Sequence, residues 1–171
     1  TESIDRLVED ALSTKAWEKA QDDFNQSKTI YIIGNGGNLA VADHGSVDIT
    51  RLSTKLAIAP GSGIVATSVI GDSSIDTWFL NWLEAHLEVR SSMDKSNSML
   101  IGISSSGTAK NICSCLTYAR QQSLKTLMIS ARKLNDIKHP FNCVELGTDF
   151  YHTGEVISLL LFYQLIHGSG S

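Results

Sequence analysis

Five short apolar runs constrain this chain more than any other feature: TIYII (29–33), LAIA (56–59), SMLIGI (98–103), KTLMIS (125–130) and FNCVEL (141–146). The first is compact and rich in β-formers, as expected of a buried strand, and the other four read as strands beside it. Between them lie helix-length segments at 38–52, 73–89, 107–122 and 153–167. The third strand follows a segment, 73–89, that opens on the cap-type serines Ser73 and Ser74. Ahead of the first strand, Ile4, Leu7, Val8, Ala11, Leu12, Trp17, Ala20 and Phe24 fall near a helical period, which predicts a leading helix, long or broken, within 1–27. Strands alternating with helices pair in parallel through crossovers, so the expected fold is a three-layer α/β/α sandwich on a five-stranded parallel sheet. One domain over 1–167 accommodates it, with 168–171 as a flexible tail or an appended remnant.

Composition narrows the function classes. With 42% hydrophobic and 19% charged residues in 171, the chain is an ordinary globular one, and disordered or coiled-coil readings are disfavoured. A formal net charge of −4 argues against a nucleic-acid or anionic-membrane surface. Any anionic ligand must therefore be held by a local site. Cys113, Cys115 and Cys143 have neither a disulfide framework's number nor a zinc knuckle's spacing, and read as reduced thiols of a cytoplasmic protein. The polar opening TESIDRLVED is unlike a signal peptide, and no apolar run approaches a bilayer span.

In open parallel sheets ligands bind beyond the carboxyl ends of strands, where helices begin. Two loops stand there. Asn35, Gly36, Gly37 and Asn38 follow the first strand, allowing close backbone approach and placing amides at a helix N-terminus. A dinucleotide reading needs a third glycine where Leu39 stands and an acid after the second strand, and a Walker A loop needs Gly-Lys-Ser/Thr; no nucleotide cofactor is expected. Ser104, Ser105, Ser106 and Thr108 follow the third strand. One hydroxyl suffices for an N-cap; four exceed that need and suit a phosphate monoester held at a helix N-terminus.

Two pairs of polar residues accompany these loops. His44 and Asp48 share a helix face at i,i+4, a spacing that serves metal ligation, a carboxylate-oriented imidazole or a plain surface contact. His152 and Glu155 open the last helix, as site residues or as its cap. That helix continues VISLLLFYQLI, apolar on nearly every side, which points to burial between subunits or against the sheet.

GNGGN, His44, ATSVIGD (66–72) and GISSSGTAKN (102–111) together closely resemble the sugar isomerase (SIS) family, in particular its phosphoheptose isomerase branch. The resemblance runs from about residue 29 to 167. It implies a flavodoxin-like SIS fold, a homotetramer, and a Ser/Thr loop gripping the phosphate of a phosphorylated sugar. It assigns that grip to Ser104, Ser105 and Ser106, with Thr108 beside them, and brings Asp72, at the end of ATSVIGD, to the substrate side. The branch has a metal and acid–base cluster, which the resemblance places on His44, Asp48 and His152 with zinc or another divalent metal. Asp48 stands where the branch has Glu, Ala109 and Asn38 where it has serines, and Leu160 where it has a second histidine. The implied activity is conversion of sedoheptulose 7-phosphate to a heptose 7-phosphate through an enediol, for cell-surface polysaccharide synthesis, with Asp48, Glu155, His152 and His44 as catalytic candidates. A non-catalytic phosphosugar sensor or protein-interaction scaffold is the alternative.

Overall fold

The computed structural model describes residues 3–170. Two helices lead, α1 (Ile4–Leu12) and α2 (Lys15–Gln26). The leading segment is thus the broken form, because Thr14 ends one helix and caps the next, its Oγ1 accepting from Trp17 N at 3.1 Å. Then follow β1 (Thr29–Gly34), α3 (Gly37–Leu52), β2 (Leu56–Ile58), α4 (Gly63–Asp72), α5 (Trp78–Leu87), α6 (Ser92–Ser96), β3 (Ser98–Ser104), α7 (Lys110–Gln121), β4 (Lys125–Ser130), β5 (Asn142–Glu145) and α8 (Tyr151–Gly168). All five strands pair in parallel, in the order β2-β1-β3-β4-β5. This is the flavodoxin-like order, and the expected α/β sandwich is the fold observed.

Alternation along the strands divides the core between the two faces. Ile30, Ile32, Met99, Ile101, Leu127 and Ile129 pack with Trp17, Phe24, Ile49, Ile157, Leu161 and Leu165 from α2, α3 and α8. Tyr31, Ile33, Leu100 and Met128 pack with Phe79, Leu83, Ile112 and Leu116 from α5 and α7. Every residue of β1 and β3 is buried, which accounts for their unbroken apolar runs.

Three details depart from the sequence reading. The helix expected over 73–89 is split: Ser73 ends α4, Ser74 bonds Thr77 side chain to side chain at 3.0 Å, and α5 starts only at Trp78. The serines terminate and bridge rather than begin. The helix α4, which contains the whole ATSVIGD stretch, and the short helix α6 lie where no helix was expected. The last helix starts at Tyr151 and runs through Gly168, whose missing side chain makes room for Gln21 of α2. All three cysteines are free thiols, and burial drives those of Cys115 and Cys143 upward, the latter to about 11. Neither is a nucleophile at neutral pH. Among the described residues no helix is long and apolar enough to cross a membrane.

Candidate phosphosugar site

Strand order reverses between β1 and β3, so a crevice opens between the loops that leave them. The first loop turns at Gly36, whose φ of 56° lies in the left-handed region. There it caps α3 with no side-chain bond to the helix. Asn38, 5% exposed, donates from Nδ2 to Ser105 Oγ at 3.1 Å, while its buried Oδ1 has no partner among the described residues. Asn35 and Asn111 exchange amide hydrogen bonds at 2.9 and 2.8 Å, and Asn111 Nδ2 also reaches Ile75 O at 3.3 Å. The first loop, the start of α7 and the segment before α5 are therefore tied together by side-chain hydrogen bonds, the last through the Ile75 carbonyl.

The second loop is organised by its own hydroxyls. Ser104 ends β3 buried, and its Oγ accepts from Gly107 N at 3.0 Å. Ser106 Oγ accepts from Thr108 N at 3.1 Å and from Thr108 Oγ1 at 3.2 Å. A hydroxyl that accepts a bond keeps its own O–H to give, so these serines remain donors. The helix α7 starts after Ala109 without a side-chain cap, leaving its dipole end to the loop. Ser106 and Thr108 are exposed and Ser105 half-buried, while Ser104 faces inward as a support of the turn. The nearby cation Lys110 is ion-paired to Asp76 at 3.4 Å. Hydroxyls and a helix end of this kind have the chemistry to hold a tetrahedral anion without a lysine.

The catalytic candidates divide into two groups. Glu155 lies against the first loop: a Cβ built on Gly37 would fall 2.2 Å from Glu155 Oε1, so glycine there is what lets the carboxylate reach the start of α3. The capping alternative for this residue fails, since α8 begins at Tyr151 after Phe150 with no side-chain cap, and Glu155 serves the neighbouring helix's positive end instead. Further along, α3 and α8 meet again at His44 and Asp48. His44 Nε2 is 3.3 Å from Asp48 Oδ2, Tyr163 donates its phenol to the same oxygen, and Arg51 lies 3.4 Å from Oδ1. Tyr163 Oη is also 3.4 Å from His44 Nε2. The Tyr163 phenol first, then the neighbouring His44 and Arg51, hold the Asp48 carboxyl below its ordinary range, and Asp48 in turn raises the Tyr163 phenol.

The metal set expected on His44, Asp48 and His152 is not assembled. Eleven positions separate His152 from Tyr163 on α8, about 16 Å of rise, so Tyr163 rather than His152 meets the His44 and Asp48 pair. The His152 ring packs instead on Phe150 and Tyr151, at 5.6 and 5.4 Å between centroids. Leu160, one turn before Tyr163, brings no donor. Both Asp48 oxygens are already engaged, and among the described residues no three His, Cys, Asp or Glu side chains converge. These residues do not fit a three-ligand metal centre. Asp72, the last residue of α4, is exposed and makes no hydrogen bond or ion pair among the described residues. Sequence reasoning missed Asn111 and Tyr163; the AKN ending of the serine motif and the tyrosine beside Gln-Leu-Ile were in view, yet neither has a local signal for a partner 76 or 115 residues away.

Fold and loops thus define a flavodoxin-like α/β protein whose hydroxyl-rich loop faces its switch point. No family model matches the chain. The phosphoheptose isomerase of Aliarcobacter butzleri is 29% identical over 132 residues, 72% of this chain and 66% of that protein. That of Helicobacter pylori strain 26695 is 33% identical over 114 residues, 63% and 55% respectively. The aligned region thus spans between about half and two thirds of these relatives' length. The structure of phosphoheptose isomerase GmhA from Neisseria gonorrhoeae superposes with a TM-score of 0.79 at 19% identity, covering 98% of this chain and 91% of that one. In sequence the chain is thus similar to phosphoheptose isomerases, and in fold to the structure of one of them.

Proposed function

We propose that the chain is a phosphosugar aldose–ketose isomerase, most simply acting on sedoheptulose 7-phosphate, in the cytoplasm and as a homotetramer. The observation that carries this reading is a carboxylate and a phosphate-type loop on the same crevice: Glu155 beside Gly37, and Asn38 bridging to Ser105. The relatives' names supply the substrate class.

In this reading Ser105, Ser106, Thr108 and the N-terminus of α7 hold the phosphate, with Ser104 fixing the loop behind them. The first loop, with Asn35 and Asn38, lies along the sugar. Glu155 takes a proton from C1 of the ketose, the electrons of that C–H bond form the C1=C2 bond of the enediol as the C2 carbonyl oxygen gains a proton, and the proton returns to C2 as the C1 hydroxyl gives up its own to become the aldehyde. Each atom lost at one carbon is regained at the next, so no redox cofactor is needed. Asp48 is the poorer base, because Tyr163 and Arg51 stabilise its ionised form. Solvent exchange provides the test: in deuterium oxide the product should carry deuterium at C2, and Glu155→Gln should lower kcat by about 10²–10⁴-fold while phosphosugar binding persists. Wild-type protein that binds a panel of ketose phosphates and turns over none would establish the sensor or scaffold reading instead.

A further inference from the structure

Gly107 is the tightest point of the serine loop. Its φ is 73°, and a Cβ there would lie 2.4 Å from Leu134 Cδ2 and 2.5 Å from Ser130 Oγ. Its carbonyl is turned out of the loop, where His139 Nε2 lies 2.9 Å away and Cys113 Sγ at 4.0 Å. The imidazole is held for this contact: it stacks on Phe141 with centroids 4.7 Å apart and planes 15° from parallel. His139 thus comes from the long β4–β5 connection, far in sequence from the loop it touches.

A trans peptide holds its C=O and the next N–H in one plane, pointing in opposite directions. Fixing Gly107 O toward the imidazole therefore fixes Thr108 N–H toward the opposite side, where it meets Ser106 Oγ at 3.1 Å. A hydrogen bond accepted by Ser106 Oγ leaves that hydroxyl's own O–H to donate onward, and charge on the final acceptor strengthens the sequence of bonds. The carbonyl is an acceptor only, so the imidazole nitrogen must be the donor, which both the Nε2–H neutral tautomer and the imidazolium supply.

We infer that His139 is a positioning residue of the phosphate loop: through Gly107 it sets the peptide plane whose Thr108 N–H holds Ser106 Oγ, so that the Ser106 hydroxyl is left to donate to the ligand. The inference rests on the phosphosugar reading for the ligand, but its effect is on the phosphate group alone.

Two substitutions separate the donor from the ring. His139→Phe keeps the stack on Phe141 and removes the donor; His139→Gln removes the ring and keeps an N–H. Isothermal titration with inorganic phosphate, and KM and kcat with sedoheptulose 7-phosphate, should show the phenylalanine variant weakened about fivefold to tenfold in phosphate Kd and KM, with kcat little changed, the scale of one lost hydrogen bond. The glutamine variant should recover most of that loss. Equal losses in both, or normal phosphate binding by the phenylalanine variant, would overturn the assignment. So would wild-type protein that binds no phosphate at millimolar concentration. Should the phenylalanine variant fail to fold, ¹⁵N-detected imidazole spectra of the wild type decide the point: Nε2 must carry the proton, and an Nδ1–H tautomer refutes it. Absence of turnover in the wild type would count against the isomerase reading alone, since the phosphate titration and the tautomer do not depend on catalysis.

Discussion

Tyr163 donates to Asp48, Asp48 pairs with His44 and Arg51, and all four side chains come from two helices that no local pattern links. Because the bond favours the ionised carboxylate, Asp48 releases its proton more readily folded than unfolded. The stability this adds is fully present above the unfolded carboxyl value, about 4, and is lost as pH falls through the lower folded value. Tyr163→Phe removes the largest cause of that shift. Urea midpoints of the variant should lie below wild type at neutrality and converge with it in acid; a gap that persists unchanged in strong acid would mean the phenol stabilises by packing and not through the carboxylate.

At the scale of elements, the partnership of α3 and α8 places the candidate base. The two helices run side by side in the same direction, Gly37 by Glu155, Gly45 by Phe162, Asp48 by Tyr163. Two glycines on α3 permit the close approach. A Cβ at Gly45 would lie 2.6 Å from Phe162 Cδ2, in a core where Phe162 is fully buried. Gly45→Ala gains about 1 kcal/mol of helix propensity but overpacks by about 1–3 kcal/mol. Net destabilisation of up to about 2 kcal/mol should lower Tm by a few degrees and reduce kcat by shifting Glu155. An unchanged or higher Tm would show that the interface yields easily and that these helices are not in register-determining contact.

Across the whole molecule, α4 stands apart. Its sequence is GIVATSVIGD, yet none of its residues is buried and Ile64 is 82% exposed. Val47 and Val156 add exposed apolar surface on α3 and α8. Surfaces of this kind mark association sites, and the proposed homotetramer supplies a use for them. Light scattering should give a tetramer for the wild type, and Ile64→Lys should shift it toward smaller species with the fold retained by circular dichroism. A monomeric wild type would remove the tetramer from the proposal.

The order of elements, the parallel sheet and the two loops at its carboxyl edge were legible in the sequence, because buried strands and loop chemistry are local properties of composition and period. Helix boundaries were less so: Ser73 and Ser74 have the composition of a cap but sit between two helices, a choice made by packing of Trp78 and Phe79 into the core. Partners across the fold were not legible at all. Nothing within a few residues of His44 announces Tyr163, nothing near Gly107 announces His139, and His152, three residues from Glu155, lies away from the pair it was expected to join. Sequence alone determined that a hydroxyl-rich loop would sit at the end of β3, ahead of a helix, since strand, hydroxyls and helix are contiguous. Only the tertiary structure decided which carboxylate stands over that crevice and which is bound to a phenol, because side chains distant in sequence meet through the helix packing and strand order that the whole core selects.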